Sequence, residues 1–249
     1  MEPLVLLATD LLDVDVLVRP VAPTVTVALA PGGPHTNVKQ QRMEDSLAVL
    51  VHGDGVVSAL VADAHHGAGA GERLTRHLAA LLQQGPPQDA NALLDLVLQA
   101  DERACRFTRD QSQSTLLVVV AHGRTVHWVS VADSILLTVG PRGVTRINPA
   151  LATFAGGTFP LRALLRHPRA AQQQHVAHGT LELDARDTLV LASDGIEEEM
   201  TALPLGEVAG LLASQTGLEQ GAGVLLRRWS DVAQGGGRDN VAAVLVRPG

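Results

Sequence analysis

Tyrosine is absent from this chain, and three phenylalanines and two tryptophans are the only aromatics of their class. Lys39 is the only lysine, so arginine supplies eighteen of the nineteen basic residues. With Ala, Leu, Val and Gly dominating, this bias reads as the codon usage of a GC-rich bacterial genome rather than as function. Cys105 is the single cysteine, which excludes an intramolecular disulfide and fits a reducing compartment. It lies in a helical pattern and reads as a packed thiol, not a nucleophile. No basic cluster is present and the net charge is −7, so nucleic acid and anionic membrane are not expected partners. No apolar run is long enough to span a bilayer. The apolar stretch Leu4 to Ala8 follows Glu2 instead of a basic start, so it does not read as a signal peptide, and a cytoplasmic location is expected.

What is present is a core-forming composition. The chain is 46% hydrophobic and 18% charged over 249 residues, which fits one large domain or two small ones and argues against disorder. Residues 1–23 read as an irregular or short-stranded lead-in, and Thr24 to Ala30 as a strand ended by Pro31-Gly32-Gly33-Pro34. Two strands flank Gly53-Asp54-Gly55, a hairpin signal with glycine for the left-handed position. Helices are predicted over Glu72 to Gln83 and Asn91 to Thr108. Three or four strands follow over 114–147, then a short helix near Leu161 to Arg166. Two further strands flank Asp184 to Asp187, helices cover about 204–214 and 218–233, and a last strand runs from Val241 to Val246. Short hairpin turns make the sheets mainly antiparallel, so the class is α+β. No linker divides the chain, which reads as one domain over residues 1–249.

The acidic residues that begin or end apolar runs carry the chemistry. Glu44-Asp45 open one run, Asp63 closes the next, Asp194 follows Thr188 to Ser193, and Asp239 precedes the last. Carboxylates at strand ends suit hard divalent cations, and metal-assisted hydrolysis of phosphate esters is the first candidate. In the hairpin centred on Asp54, pairing in which residue numbers sum to 108 sets Asp45 opposite Asp63, with Cβ atoms about 4.5–5.5 Å apart. A one-residue slip would change the pair but not the shared edge. Two carboxylates that close repel unless a cation lies between them. The plainer reading is that each Asp serves a turn, as Asp often does.

Six segments occur in order: Arg42-Met43-Glu44-Asp45-Ser46, Val61 to Gly67 with Gly71-Glu72, Ser114-Thr115, Ala132-Asp133-Ser134, Leu191 to Gly195, and Gly237 to Val241. Together they resemble the metal-dependent protein phosphatases of the protein phosphatase 2C family, over about residues 36–247. The resemblance implies a sandwich of two antiparallel β-sheets flanked by pairs of α-helices, with two Mn²⁺ or Mg²⁺ ions at one end. It implies that Asp63 bridges the ions, that Asp194, Asp239 and the Ala64 carbonyl complete their sites, and that Glu44 and Asp45 hold bound waters. Asp133 matches the position supporting a third metal in bacterial members. Oxygen ligands suit Mg²⁺ or Mn²⁺ better than Zn²⁺ or Cu²⁺. The implied substrate is a phosphoserine or phosphothreonine protein, with a cognate kinase as its counterpart.

The chain departs from the family at four places. The phosphate-gripping arginine expected four residues before Glu44 is Gln40, which leaves Lys39 or Arg42 to substitute. Asp-Gly is Asp63-Ala64, and Gly-Asp-Ser is Ala132-Asp133-Ser134. The flap region, residues 148–175, is short, which would expose the cleft. His65-His66 read either as metal ligands, as a proton donor to the leaving group, or as a solvent-facing turn. Gly67 to Gly71 invites a nucleotide-binding reading, but Asp63 to His66 intervene after the strand and a second helix follows where a strand is required. The alternative to an active phosphatase is a pseudophosphatase, a binding module for phosphoproteins. The missing arginine and the short flap favour it, and the intact Asp63, Asp194 and Asp239 oppose it.

Overall fold

Long apolar runs such as Leu47 to Val51 and Val241 to Val246 do not alternate in polarity, which means strands covered on both faces. The computed structural model describes residues 2–11, 16–32, 43–105, 111–158, 160–166, 174–196, 217–233 and 239–247. In it these runs are buried along their lengths. The expected helix over 204–214 lies outside the described residues.

The strands are β1 (Leu4–Leu6), β2 (Leu17–Ala22), β3 (Val25–Ala30), β4 (Asp45–Val51), β5 (Val57–His65), β6 (Gln113–Ser114), β7 (Leu116–His122), β8 (Thr125–Val131), β9 (Ile135–Gly140), β10 (Gly143–Arg146), β11 (Ala177–Glu182), β12 (Thr188–Ala192) and β13 (Val241–Val246). The helices are α1 (Gly69–Leu82), α2 (Ala90–Cys105), α3 (Leu161–Arg166) and α4 (Leu218–Ala233). One sheet has the order β1-β4-β5-β7-β8-β11, with β6 paired to β5, and the other β10-β9-β12-β13-β3-β2. All strand pairings among the described residues are antiparallel. No helix among the described residues is long and apolar enough to cross a membrane.

Side-chain parity sorts the core into three layers. Leu47, Val49, Val57, Ala59 and Val61 meet Val27, Leu29, Leu191, Ala242 and Val244 between the sheets. On the outer face of the first sheet, Ala48, Leu60 and Val118 meet Leu74, Leu78 and Leu82 of α1 and Leu93 and Val97 of α2. On the outer face of the second, Ala28, Val190 and Ala243 meet Leu218, Ala222 and Leu225 of α4. Asp45 and Asp63 share parity with Leu47 and Val61, so both belong to the face between the sheets.

The β4–β5 register pairs Asp45 with Asp63 and Val51 with Val57, the predicted sum of 108. Gly55 takes φ +83° at the hairpin tip, closed by bonds from Gly55 N to His52 O (3.0 Å) and from His52 N to Val56 O (2.9 Å). Of its two readings the lead-in takes the short-stranded one, with β1 edging one sheet against β4 and β2 the other against β3. Pro20 is tolerated in β2 because an edge strand leaves one side without a ladder. Helix α1 starts at Gly69, three residues before the expected Glu72. Gly71 lies inside it because a Cβ there would come within 3.2 Å of Ala64 Cβ and 3.3 Å of Ser114 Oγ. The strands flanking Asp184 to Asp187 belong to different sheets, β11 pairing β8 and β12 pairing β9 and β13.

Candidate metal centre

Parity and register bring the predicted acids together across the gap between the sheets. Asp63 ends β5 in the first sheet, Asp194 follows β12, and Asp239 precedes β13 in the second. Each of the three offers a carboxylate oxygen within 4.8 Å of the other two. Asp63 and Asp239 are buried and Asp194 is half-buried. Glu44 and Asp45 are fully buried.

Like charges this close cost on the order of 3 kcal/mol per pair at an effective dielectric of about 20. That exceeds what one hydrogen bond returns, so the cluster must take up protons or cations. Burial pushes the Asp194 carboxyl well above the usual range, and the charges of Asp63, Asp239 and Asp133 push it the same way. Asp133 is raised as well, by burial first and Asp63 second, with His65 and Arg146 acting in the opposite sense. Among the described residues, Asp194 Oδ1 and Asp133 Oδ1 are buried and accept no hydrogen bond. All-oxygen donors, buried and mutually repelling, fit Mg²⁺ or Mn²⁺.

Backbone and hydroxyl contacts fix these acids. Asp63 N–H donates to Thr115 Oγ1 (3.0 Å), while Thr115 N–H (2.8 Å) and the Ser114 hydroxyl (3.0 Å) donate to the Asp63 carbonyl. Thr115 Oγ1 also bonds Ser134 Oγ at 2.6 Å, tying the first sheet to the β8–β9 crossover that carries Asp133. Asn148, just past β10, is engaged against that crossover. Its amide donates to Ser130 Oγ (2.7 Å) and to the Ser134 carbonyl (2.6 Å), and its oxygen accepts from Leu136 N–H (2.7 Å). Arg146 Nη2 donates to the Asp133 carbonyl at 3.1 Å. Beside Asp194, a Cβ on Gly195 would lie 2.3 Å from the Asn240 carbonyl, so the β12 exit packs directly on the segment leaving Asp239.

Ala64 is buried in the β5–β6 pairing and keeps negative φ, so the glycine usual there is not required by the backbone. Ala132 differs, with φ +66°, a region that favours glycine. The two histidines separate. His66 is exposed at φ +62°, whereas His65 stands edge-on to the Phe154 ring at 4.9 Å, with buried Nε2 lacking a hydrogen-bond partner among the described residues. Lys39, Gln40 and Arg42 lie outside the described residues. Cys105 is held by burial and Asp101 with its pKa pushed up to about 12, which keeps it a thiol.

Sequence reasoning assigned no role to Asn240, Asn148 or Asp101. Asn240 is buried beside Asp239, and neither amide atom finds a hydrogen-bond partner among the described residues. Its position next to Asp239 at the start of a run was the available signal. Asn148 and Asp101 act over distances that no local pattern announces.

The model of the family described as Protein phosphatase 2C matches residues 33–212. No curated protein matches the sequence. Among solved structures, a variant of a bacterial serine phosphatase is similar at TM-score 0.73 and 17% identity, covering 90% of this chain and 98% of that one. A serine/threonine phosphatase of Staphylococcus aureus is similar at TM-score 0.69 and 16% identity, covering 94% and 98%. A PPM Ser-Thr phosphatase of Mycobacterium smegmatis, solved with cacodylate, is similar at TM-score 0.59 and 22% identity, covering 92% and 100%. These likenesses carry the fold, two antiparallel sheets with flanking helices. On the family match, the chain belongs to the protein phosphatase 2C family of phosphoprotein phosphatases.

Proposed function

We propose that this chain is an active, metal-dependent serine/threonine protein phosphatase that hydrolyses phosphomonoesters on phosphoproteins in the cytoplasm. The observation that carries the reading is the convergence of Asp63, Asp194 and Asp239 from two sheets to within 4.8 Å. Asp63, Asp194, Asp239 and the Ala64 carbonyl would hold two Mn²⁺ or Mg²⁺ ions, and Asp133 with Asp194 a third. Bound cations of this kind lower the pKa of water and offset charge on phosphoryl oxygens.

The chain's own groups do the rest. Glu44 and Asp45, both fully buried and with Asp45 paired opposite Asp63, would orient water by accepting its hydrogen bonds. His65, whose charge acts on Asp133, would give a proton to the leaving oxygen. Lys39 and Arg42 are the candidates to bind the phosphate in place of the arginine that Gln40 replaces. A kinase acting on the same phosphoprotein would be the physiological counterpart.

A chromogenic phosphate monoester assayed with Mn²⁺, with chelator, and with Asp194→Asn tests this. Turnover that needs Mn²⁺ and falls by about 100-fold or more in the variant is expected. Turnover surviving both chelation and substitution would sink the metal proposal. No Mn²⁺-dependent turnover in the wild type would favour the phosphoprotein-binding module.

A further inference from the structure

Arg146 ends β10, the edge strand of the second sheet, and has no part in the catalytic reading. The antiparallel register sets it opposite Leu137 of β9. From there its guanidinium reaches the β8–β9 crossover. Nη2 donates to the Asp133 carbonyl and Nε to the Asn148 carbonyl, both at 3.1 Å. Two bonds from different nitrogens of one rigid plane fix the guanidinium, and the residue is half-buried.

That anchor brings a permanent positive charge to an acid of the candidate centre. Five bonds separate a carbonyl oxygen from the carboxylate oxygens of the same Asp, a reach of at most about 6 Å. The Arg146 charge therefore lies within about 9 Å of the Asp133 carboxylate. Asp133 is half-buried, and its Oδ1 is buried without a hydrogen bond among the described residues. A carboxylate in that setting is costly unless positive charge stands near it. The corner is also pinned on its other side, where Ser134 Oγ meets Thr115 Oγ1 at 2.6 Å. Acid and guanidinium are thus held in place from both directions.

We propose that Arg146 is a resident counter-ion of the Asp133 corner, offsetting the charge of Asp133 and weakening its hold on a third divalent cation. A divalent ion arriving at Asp133 meets a positive charge that is already fixed there. Their repulsion lowers the affinity for that ion by about tenfold or more. Arginine suits the task because it stays charged at every working pH and can bond two carbonyls at once. The ions held through Asp63 and Asp239 feel the charge less, since the guanidinium is anchored on Asp133. The proposal rests on the metal-dependent reading of the centre and concerns only the third of its ions.

The test is Mn²⁺ binding to the full chain by titration calorimetry, with free Mn²⁺ counted by electron paramagnetic resonance. It compares wild type, Arg146→Gln, Arg146→Lys, Asp133→Asn and the double variant Asp133→Asn with Arg146→Gln. Arg146→Gln should bind a third Mn²⁺ about tenfold or more tightly than wild type, with the first two within about threefold. Arg146→Lys keeps the charge but not the paired carbonyl bonds, so its third affinity should stay within about threefold of wild type. The double variant should lose the tightened site. A third affinity that is unchanged or weaker in Arg146→Gln, or a lysine variant that behaves like the glutamine one, would overturn the proposal. Should Arg146→Gln fail to fold, Asp133→Asn decides. At Mn²⁺ that just fills two sites, it should bind as many ions as wild type, and one ion fewer would overturn the proposal. A wild type that binds no Mn²⁺ defeats the metal reading itself and the proposal with it.

Discussion

Ala132 adopts φ +66° with its side chain fully buried, immediately before Asp133. A left-handed backbone costs an L-residue about 1–2 kcal/mol. Replacing alanine by glycine ordinarily destabilises by about 0.5–1 kcal/mol through chain entropy. At this position the two effects oppose, and relief of the strained backbone wins or balances. Ala132→Gly should therefore leave the urea midpoint unchanged or raise it, by up to about 1 kcal/mol in stability. A loss of more than about 1 kcal/mol would show that the strain is absent. The sequence marked Ala132 as a mild departure because composition does not reveal φ. At Ala64 the same exchange carries no such strain, since its φ is negative. The difference lies in the local path of the chain: Ala64 continues a strand, while Ala132 turns the corner between sheets, its carbonyl accepting Leu151 N–H at 2.8 Å.

At the scale of elements, α2 and the segment ahead of α3 are joined by Asp101, and the joint titrates. Burial raises Asp101 above its ordinary 3.8, against the lowering effect of the Gly156 and Leu161 N–H groups. A carboxyl whose folded pKa lies above its unfolded value binds a proton more tightly when folded. Its contribution to stability is then full below about pH 4 and is lost as pH rises through the folded pKa. The stability advantage of wild type over Asp101→Asn should shrink from pH 4 towards neutrality, read from urea unfolding of both proteins at each pH. An advantage that grows over that range would mean that the two N–H bonds outweigh burial. Elements with a local signature were legible in the sequence. The β4–β5 register followed from the Gly53-Asp54-Gly55 turn, α2 from its apolar period and β13 from its apolar run. The start of α1 was hidden because Gly71, of a type that usually breaks helices, here permits close packing on Ala64 and Ser114. The roles of Asp101 and Asn148 were hidden because their partners lie 55 and 60, and 12 to 18, residues away.

The whole molecule explains why the acids converge. A sandwich buries the inner face of each sheet, and β5, β12 and β13 bring one end of both sheets to the same gap. Asp63 comes from the first sheet, and Asp194 and Asp239 from the second, with Asp133 on the crossover between them. The sequence showed acids at run ends and set Asp45 against Asp63. The bridge from one sheet to the other depends on stacking, which no strand pattern contains. Because the cluster spans both sheets, cation binding and tertiary structure are linked. The most direct test is release of phosphate from a phosphothreonine peptide by wild type and Asp63→Asn, each titrated with Mn²⁺. The account predicts saturable Mn²⁺ dependence in the wild type and a loss of about 100-fold or more in the variant at every Mn²⁺ concentration. Equal turnover by the two proteins, with or without Mn²⁺, would contradict it.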